Sequence, residues 1–476
     1  MMKPEDIQNA LGDIGEDLIE EAANFGNVTK KRVLSKWKWI PAIAAILAVA
    51  IAVGMFLSPG EKTFLISAAQ YPSASPYPHL QYKWGSEEYK QAALAWKEER
   101  VEKKRLFESI SLDLDSFLQS TVQELLSNTN GKNTAYSPLN IYLALCMTAE
   151  ITDGKSREEI LDLLGVADIE SMREQVNALW RSHYSNDGIY TLTLANSLWL
   201  NENVKFRKET IKQLTESYFA SAFQGEMGNE EYTQALRNWL NEQTNGLLNN
   251  DVDSIHLDPD TILALVSTIY FQAKWVNKFY EKNNETFYTA NGEVSCIFMK
   301  RNHHDYYYCG ENFSAVKCEF DQINSGMWLI LPDEGVAMES VLCDEDFHRF
   351  LKDPTAQSSI YEVDLSLPMF DFACKTDLSE SLKNLGIESV FTEKADFSPL
   401  AKNTEGISLN KIEHNVRIAI DEEGCTATAY TVEYYEGMAP IDEKVTLKFD
   451  RPFFFLVTSQ HNTPLFAGVV NDPTAS

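Results

Sequence analysis

Basic residues are scarce in this chain. Its 41 lysines and arginines stand against 70 aspartates and glutamates, a formal charge of −29 over 476 residues. Phosphate binding needs a basic face, so the balance argues against nucleic acid, and against polyanions such as heparin, as partners. What such a charge supports is solubility. Paired cysteine motifs are missing too. The seven cysteines, Cys146, Cys296, Cys309, Cys318, Cys343, Cys374 and Cys425, form an odd set without a C-x-x-C. That argues against a zinc ribbon and a thioredoxin-type site and leaves small, mostly buried apolar residues. His303, His304 and Cys309 come nearest to a metal-ligand set, but a histidine pair in an aromatic stretch reads as exposed side chains. No metal and no cofactor is expected. G-x-S-x-G, H-E-x-x-H and Walker A are all absent, and DGKS at Asp153–Ser156 has Ala149 where a P-loop has its earlier glycine. The expectation is a protein that is not an enzyme. There is also no internal repeat.

One long apolar run is present. WIPAIAAILAVAIAVGMFL, Trp39–Leu57, carries no charge over nineteen residues. As a helix it would measure ~28 Å, enough to cross a bilayer core. Lys30, Lys31, Arg32, Lys36 and Lys38 crowd its N-terminal flank, with Trp37 and Trp39 where an interfacial belt would lie. The positive-inside rule then makes residues 1–38 a cytoplasmic tail and 39–57 a signal-anchor, with everything after it exported. A cleaved signal peptide, which would leave the protein secreted, is the rival. Against it, the leader PEDIQNALGDIGEDLIEEA is long and acidic, and no clean A-x-A site follows the run. The leader itself reads as a short amphipathic helix in a solvated tail. Residues 58–106, rich in Pro, Ser and Tyr, read as a stalk that turns helical from Glu87 to Arg105. The chain is thus expected at the cell membrane, as a single-pass protein.

From about Phe107 to Ser476 the composition is that of a large globular domain. LDSFLQSTVQELLSN has helical spacing, and SREEILDLLG offers Ser156 with Glu159 as a helix start and Gly165 as its stop. YTLTLANSLWL, LALVSTIYF, GMWLILP, YEVDLSLPMFDF and RPFFFLVTS read as strands, several too apolar to be half-exposed. The fold class is mixed α/β (α+β), built on large sheets.

Several blocks in a fixed order carry more. NTAYSPLNIYLALCM with DGKSREEILDLLG, LANSLWLNENVKF, LVSTIYFQAKW, LILPDEG, LSLPMFDF with LKNLGIESVFTEKADFSPL, HNVRIAIDEEG, and FDRPFFFLV with LFAGVVNDP resemble the serpin family over about Leu112–Pro473. With its anchor, the chain resembles a membrane-anchored member of bacterial type. The resemblance implies a large central sheet, further sheets, about eight or nine helices and an exposed reactive loop that enters the sheet after cleavage.

That implication accounts for DEEGCTATAYTVEYYEGMAPIDEK, Asp421–Lys444, whose first half has strand composition and whose second half has loop character. The segment has to serve as loop and strand in turn. By similarity Glu422, Glu423, Gly424, Cys425, Thr426, Ala427, Thr428 and Ala429 form the hinge. In the inserted strand Cys425, Ala427, Ala429 and Thr431 point inward, all small enough to enter without overpacking. Tyr430 is bulky but faces out, whereas Glu433 falls on the inward phase. The family's spacing from Glu422 puts the scissile bond between Met438 and Ala439. A methionine there suits elastase-like, chymotrypsin-like or subtilisin-like proteases, and no Lys or Arg for a trypsin-like pocket occurs from Cys425 to Asp442. Ser137, Asn140, Ser267 and His414 match the polar cluster beneath the opening sheet, and Trp275 the aromatic where insertion begins. The family often has serine at 140 and asparagine at 267; here the types are exchanged, which preserves a hydrogen bond. The implied function is suicide inhibition of serine endopeptidases by a monomer. The alternatives are a non-inhibitory serpin-fold binding module and a cell-surface sensor.

Overall fold

β-Branched and aromatic runs build the framework. A computed structural model describes residues 64–72, 74–247, 255–321, 324–402, 407–409, 412–425 and 443–475. The tail and anchor readings, and the loop from Thr426 through Ala427, Thr428, Ala429 and Glu433 to Met438 and Ala439, lie outside the described residues. No helix among the described residues is long and apolar enough to cross a membrane.

The central sheet contains β1 (Leu65–Ser67), β2 (Ser185–Asn186), β3 (Thr191–Asn201), β4 (Ala220–Gly225), β5 (Leu263–Lys274), β6 (Phe370–Asp377), β7 (Glu413–Ile420) and β8 (Gly424–Cys425). Their order is β1-β4-β3-β5-β8-β7-β6, with β2 on β3. β3 and β5 run antiparallel from Thr191↔Gln272 to Leu200↔Leu263. β7 and β6 do the same from Ile420↔Phe370 to Glu413↔Asp377. Two halves are therefore firmly zipped, and among the described residues only the two-residue β8 joins them. It lies antiparallel to both neighbours, with Cys425 opposite Ala273 on one side and Ile420 on the other.

A second sheet of nine strands packs with the first around one core. It contains GMWLILP (Gly326–Pro332) and the run Phe453–Thr458, both buried along their whole length, as expected for strands covered on two faces. YEVDLSLPMFDF breaks at Met369: Ser359–Pro368 joins the second sheet and β6 the first. Residues 114–475 hold nine α-helices among the described residues, and residues 64–108 hold two more, α1 (Pro78–Gln81) and α2 (Glu87–Glu108). Among the nine are α3 (Leu114–Leu126), α4 (Pro138–Ile151), α5 (Gly154–Leu164) and α6 (Ile169–His183). Every residue of α4 except Ala144 is buried, which its nearly uninterrupted apolar sequence allows.

Two expectations need correction. The stalk is no spacer: from Phe64 the chain belongs to the same compact unit as the rest. β1 pairs with β4, and the stalk's aromatics find partners. Tyr71 stacks on Trp180, and Trp96 Nε1 donates to Asp187. Lys103 is buried, paired with Glu99 at 2.7 Å and donating to Ser185 Oγ. A Pro/Ser/Tyr composition resembles a solvated linker until those rings are seen to be covered. The second correction concerns α5, which starts two residues before Ser156, with Asp153 as its N-cap residue. Glu159 does not turn back to cap that helix; its carboxylate accepts the backbone N–H groups of Glu388 and Ser389. Gly165 does end α5, at φ 67°.

Candidate functional site

The site begins where β7 ends. Asp421, Glu422 and Glu423 make a turn in which Asp421 Oδ1 accepts the N–H groups of Glu423 (2.8 Å) and Gly424 (3.0 Å). The turn reverses the chain into β8. Gly424 is required by proximity, since a Cβ there would collide with the Ala273 carbonyl and lie 2.7 Å from Lys274 Cα. Cys425 is 3% exposed, at the head of the lane between β5 and β7.

Trp275, one residue past β5, holds the turn from the other side. Its backbone N–H donates to Glu423 O (3.1 Å) and its indole N–H to Asp421 O (2.9 Å). The ring stacks on Phe320 at 4.8 Å between centroids. The two acids after Asp421 are both paired: Lys278 Nζ lies 2.5 Å from Glu423, and Lys282 pairs with Glu422. Lys282 holds the Glu422 carboxyl below the usual range. Both pairs are partly exposed, so they orient the turn more than they stabilise it.

Further down, the polar cluster assembles beneath β5 and β7. Ser137 Oγ caps α4 by accepting the Asn140 N–H at 3.2 Å. Asn140 Nδ2 donates to Ser267 O at 3.1 Å, and Ser267 Oγ donates back to Asn140 Oδ1. The exchanged residue types thus make a reciprocal pair from helix to sheet. From β7, His414 Nε2 accepts the Ser137 N–H at 2.9 Å. One cap residue therefore touches both halves of the central sheet, directly through His414 and by way of Asn140 and Ser267.

Accepting that hydrogen bond requires a neutral His414, and burial lowers its pKa to about 4. The unfolded chain has a histidine near 6.5. Between these values the unfolded state binds more protons, so this residue makes stability fall as pH drops from about 6.5 towards 4. Asp321, raised to about 6 by burial, acts in the opposite direction over about 4 to 6. The comparison that isolates the histidine is wild type against His414→Asn. Thermal melts across this range should show the variant losing stability less steeply, by up to about 1.4 kcal/mol per pH unit. Parallel curves would remove His414 from the acid response.

The structure thus brings Ser137, Asn140, Ser267 and His414 into one cluster, and Glu422, Glu423, Gly424, Cys425 and Trp275 into another. Sequence reasoning missed Lys278, Lys282, Phe320 and the turn-forming role of Asp421. A signal existed, since three consecutive acids call for cations, and two lysines follow Trp275 within a few residues. The 140-residue separation from Lys282 to Glu422 hid the pairing. His303 and His304 lie on the second sheet, and no cluster of three metal-ligand side chains occurs among the described residues.

The profile of one family, Serpin (serine protease inhibitor), matches residues 113–473. This chain belongs to the serpin family. A serine proteinase inhibitor A3K of Cavia porcellus is 32% identical over 378 residues, covering 76% of this serpin and 88% of that protein. An uncharacterized serpin-like protein of Thermococcus kodakarensis is 30% identical over 373 residues, covering 76% and 85%. Among solved structures, the native state of the thermophilic serpin tengpin superposes with a TM-score of 0.67 at 23% identity, over 85% of this serpin and all of that chain. The family is one of serine protease inhibitors, and the mixed α+β fold of this serpin is that family's fold.

Proposed function

We propose that this serpin traps serine endopeptidases as a suicide substrate and itself performs no turnover. The observation that carries the reading is the placement of Cys425. The first inward residue of the reactive segment is already seated between β5 and β7, and the next inward positions, Ala427, Ala429 and Thr431, are small. The protease attacks after Met438 and forms an acyl-enzyme. The freed segment then enters the sheet as a strand. From Cys425 to Met438 that strand spans ~45 Å, and it drags the enzyme along the domain. Distortion of the oxyanion hole removes most of the rate of deacylation, and the ester persists. Glu433 is the weak point: burying its carboxylate unpaired costs several kcal/mol, roughly, unless it ends at a solvated edge. Met438 fits apolar primary pockets, and Glu433, Glu436, Asp442 and Glu443 favour a protease with a basic rim.

The reading extends to location. Residues 39–57 anchor a monomer in the cell membrane, residues 1–38 stay in the cytoplasm, and the inhibitory domain works at the cell's own surface. The test mixes the full chain with an elastase-like serine protease. A covalent complex that survives boiling in detergent is expected, with release of a peptide whose mass begins at Ala439. Clean cleavage with full recovery of protease activity would make the protein a substrate and defeat the reading.

A further inference from the structure

Eight large apolar side chains are exposed among the described residues, and five of them, Ile66, Tyr82, Trp84, Leu94 and Val101, fall within residues 64–108. Leu94 and Val101 stand seven residues apart on α2, two turns along one outward stripe, flanked by the exposed heads of Lys90, Lys97, Glu98, Lys104 and Arg105. Just before α2, Trp84 is 70% exposed while its ring stacks on His79, 4.9 Å away and within 5° of parallel. Tyr89 closes the same cluster at 4.7 Å from His79. Trp84 is thus held in place by half-buried neighbours and yet faces water. Such amphipathic aromatics favour the boundary between lipid headgroups and acyl chains.

We propose that this outward face of α2, together with the Tyr82–Trp84 corner, lies on the headgroup boundary of the membrane. The inference rests on the anchor reading of residues 39–57. From Leu57 to Phe64 is seven Cα steps, so an anchored chain holds Phe64 within ~25 Å of the bilayer. α2 is itself ~33 Å long. So short a tether gives the patch a high effective concentration at the surface, and contacts too weak to recruit a free protein suffice. Charge selects the kind of surface. The exposed charges of α2 are Lys90, Lys97, Lys104 and Arg105 against Glu87, Glu88, Glu98, Glu102 and Glu108, nearly balanced. Several of these pair along the helix, as Lys90 does with Glu87. Insertion is therefore apolar and aromatic, with no preference for anionic lipid. The consequence is that the domain sits in a fixed orientation on the membrane.

The test uses the full chain in phosphatidylcholine vesicles, alone or mixed with phosphatidylglycerol. The exposed Cys309 and Cys343 are replaced by serine, and Leu94→Cys takes an environment-sensitive fluorophore. Glu380→Cys, at a side chain 83% exposed, is the reference. Label at position 94 should shift to the blue on reconstitution and lose emission to a nitroxide high on the acyl chain, equally in both lipids. Label at 380 should do neither. Alkaline carbonate extraction reports the anchor separately. A chain that resists extraction while label 94 stays in water overturns the docking alone; a chain that is extracted overturns both. A shift that grows with protein-to-lipid ratio places a second copy on the face and also overturns it.

Discussion

Ala427→Arg should turn the proposed inhibitor into a substrate. Residue 427 is two beyond Cys425, and side chains alternate along a strand, so a buried Cys425 puts position 427 on the inward phase as the segment enters. Carrying an unpaired guanidinium into that space costs several kcal/mol, roughly. A barrier higher by about 3 kcal/mol slows insertion on the order of a hundredfold, because each 1.4 kcal/mol is a factor of ten. Deacylation does not depend on that barrier, so hydrolysis overtakes trapping. In a titration against an elastase-like protease, the detergent-stable complex should disappear while cleavage after Met438 continues. Thr428→Arg, one residue along on the outward phase, should keep most of the complex. If the effects of the two variants are reversed, the inward and outward assignments are wrong by one residue.

Nicking the loop should raise thermal stability sharply. The two halves of the central sheet are joined by the short β8 alone among the described residues, and a strand continuing from Cys425 would pair on both sides. About a dozen residues gaining ladder hydrogen bonds, at roughly 1 kcal/mol net each, contribute on the order of 10 kcal/mol. At ~2 °C per kcal/mol for a large domain, the melting temperature should rise by ~20 °C. The measurement is a thermal melt of intact chain against chain cut once between Met438 and Ala439. An unchanged melting temperature would mean that no energy is stored in the intact form, and trapping by insertion would have no driving force.

Much of this architecture is legible in the amino-acid order. Strands such as GMWLILP and the run Phe453–Thr458 announce themselves because burial on both faces leaves no polar alternation. The reciprocal Asn140–Ser267 bond is readable because two exchanged residue types can still satisfy each other. Other features depend on three-dimensional neighbours. Nothing local tells that Lys282 meets Glu422, or that Glu159 serves the backbone at Ser389 instead of its own helix. The segment from Phe64 to Glu108 escapes a reading by composition for a similar reason: its rings are held by Trp180 and Asp187, over eighty residues away in the chain. Composition describes a segment, whereas docking describes a pair.

The two seated residues Gly424 and Cys425 have a kinetic meaning as well. A zip whose first tooth is engaged needs no search for alignment, since the offset against Ala273 and Ile420 is set before any protease arrives. In the proposed insertion, closure propagates from that preset start, each residue settling on the one before. Disturbances near that start should therefore delay every later step, while equal disturbances at the far end interrupt only the last few.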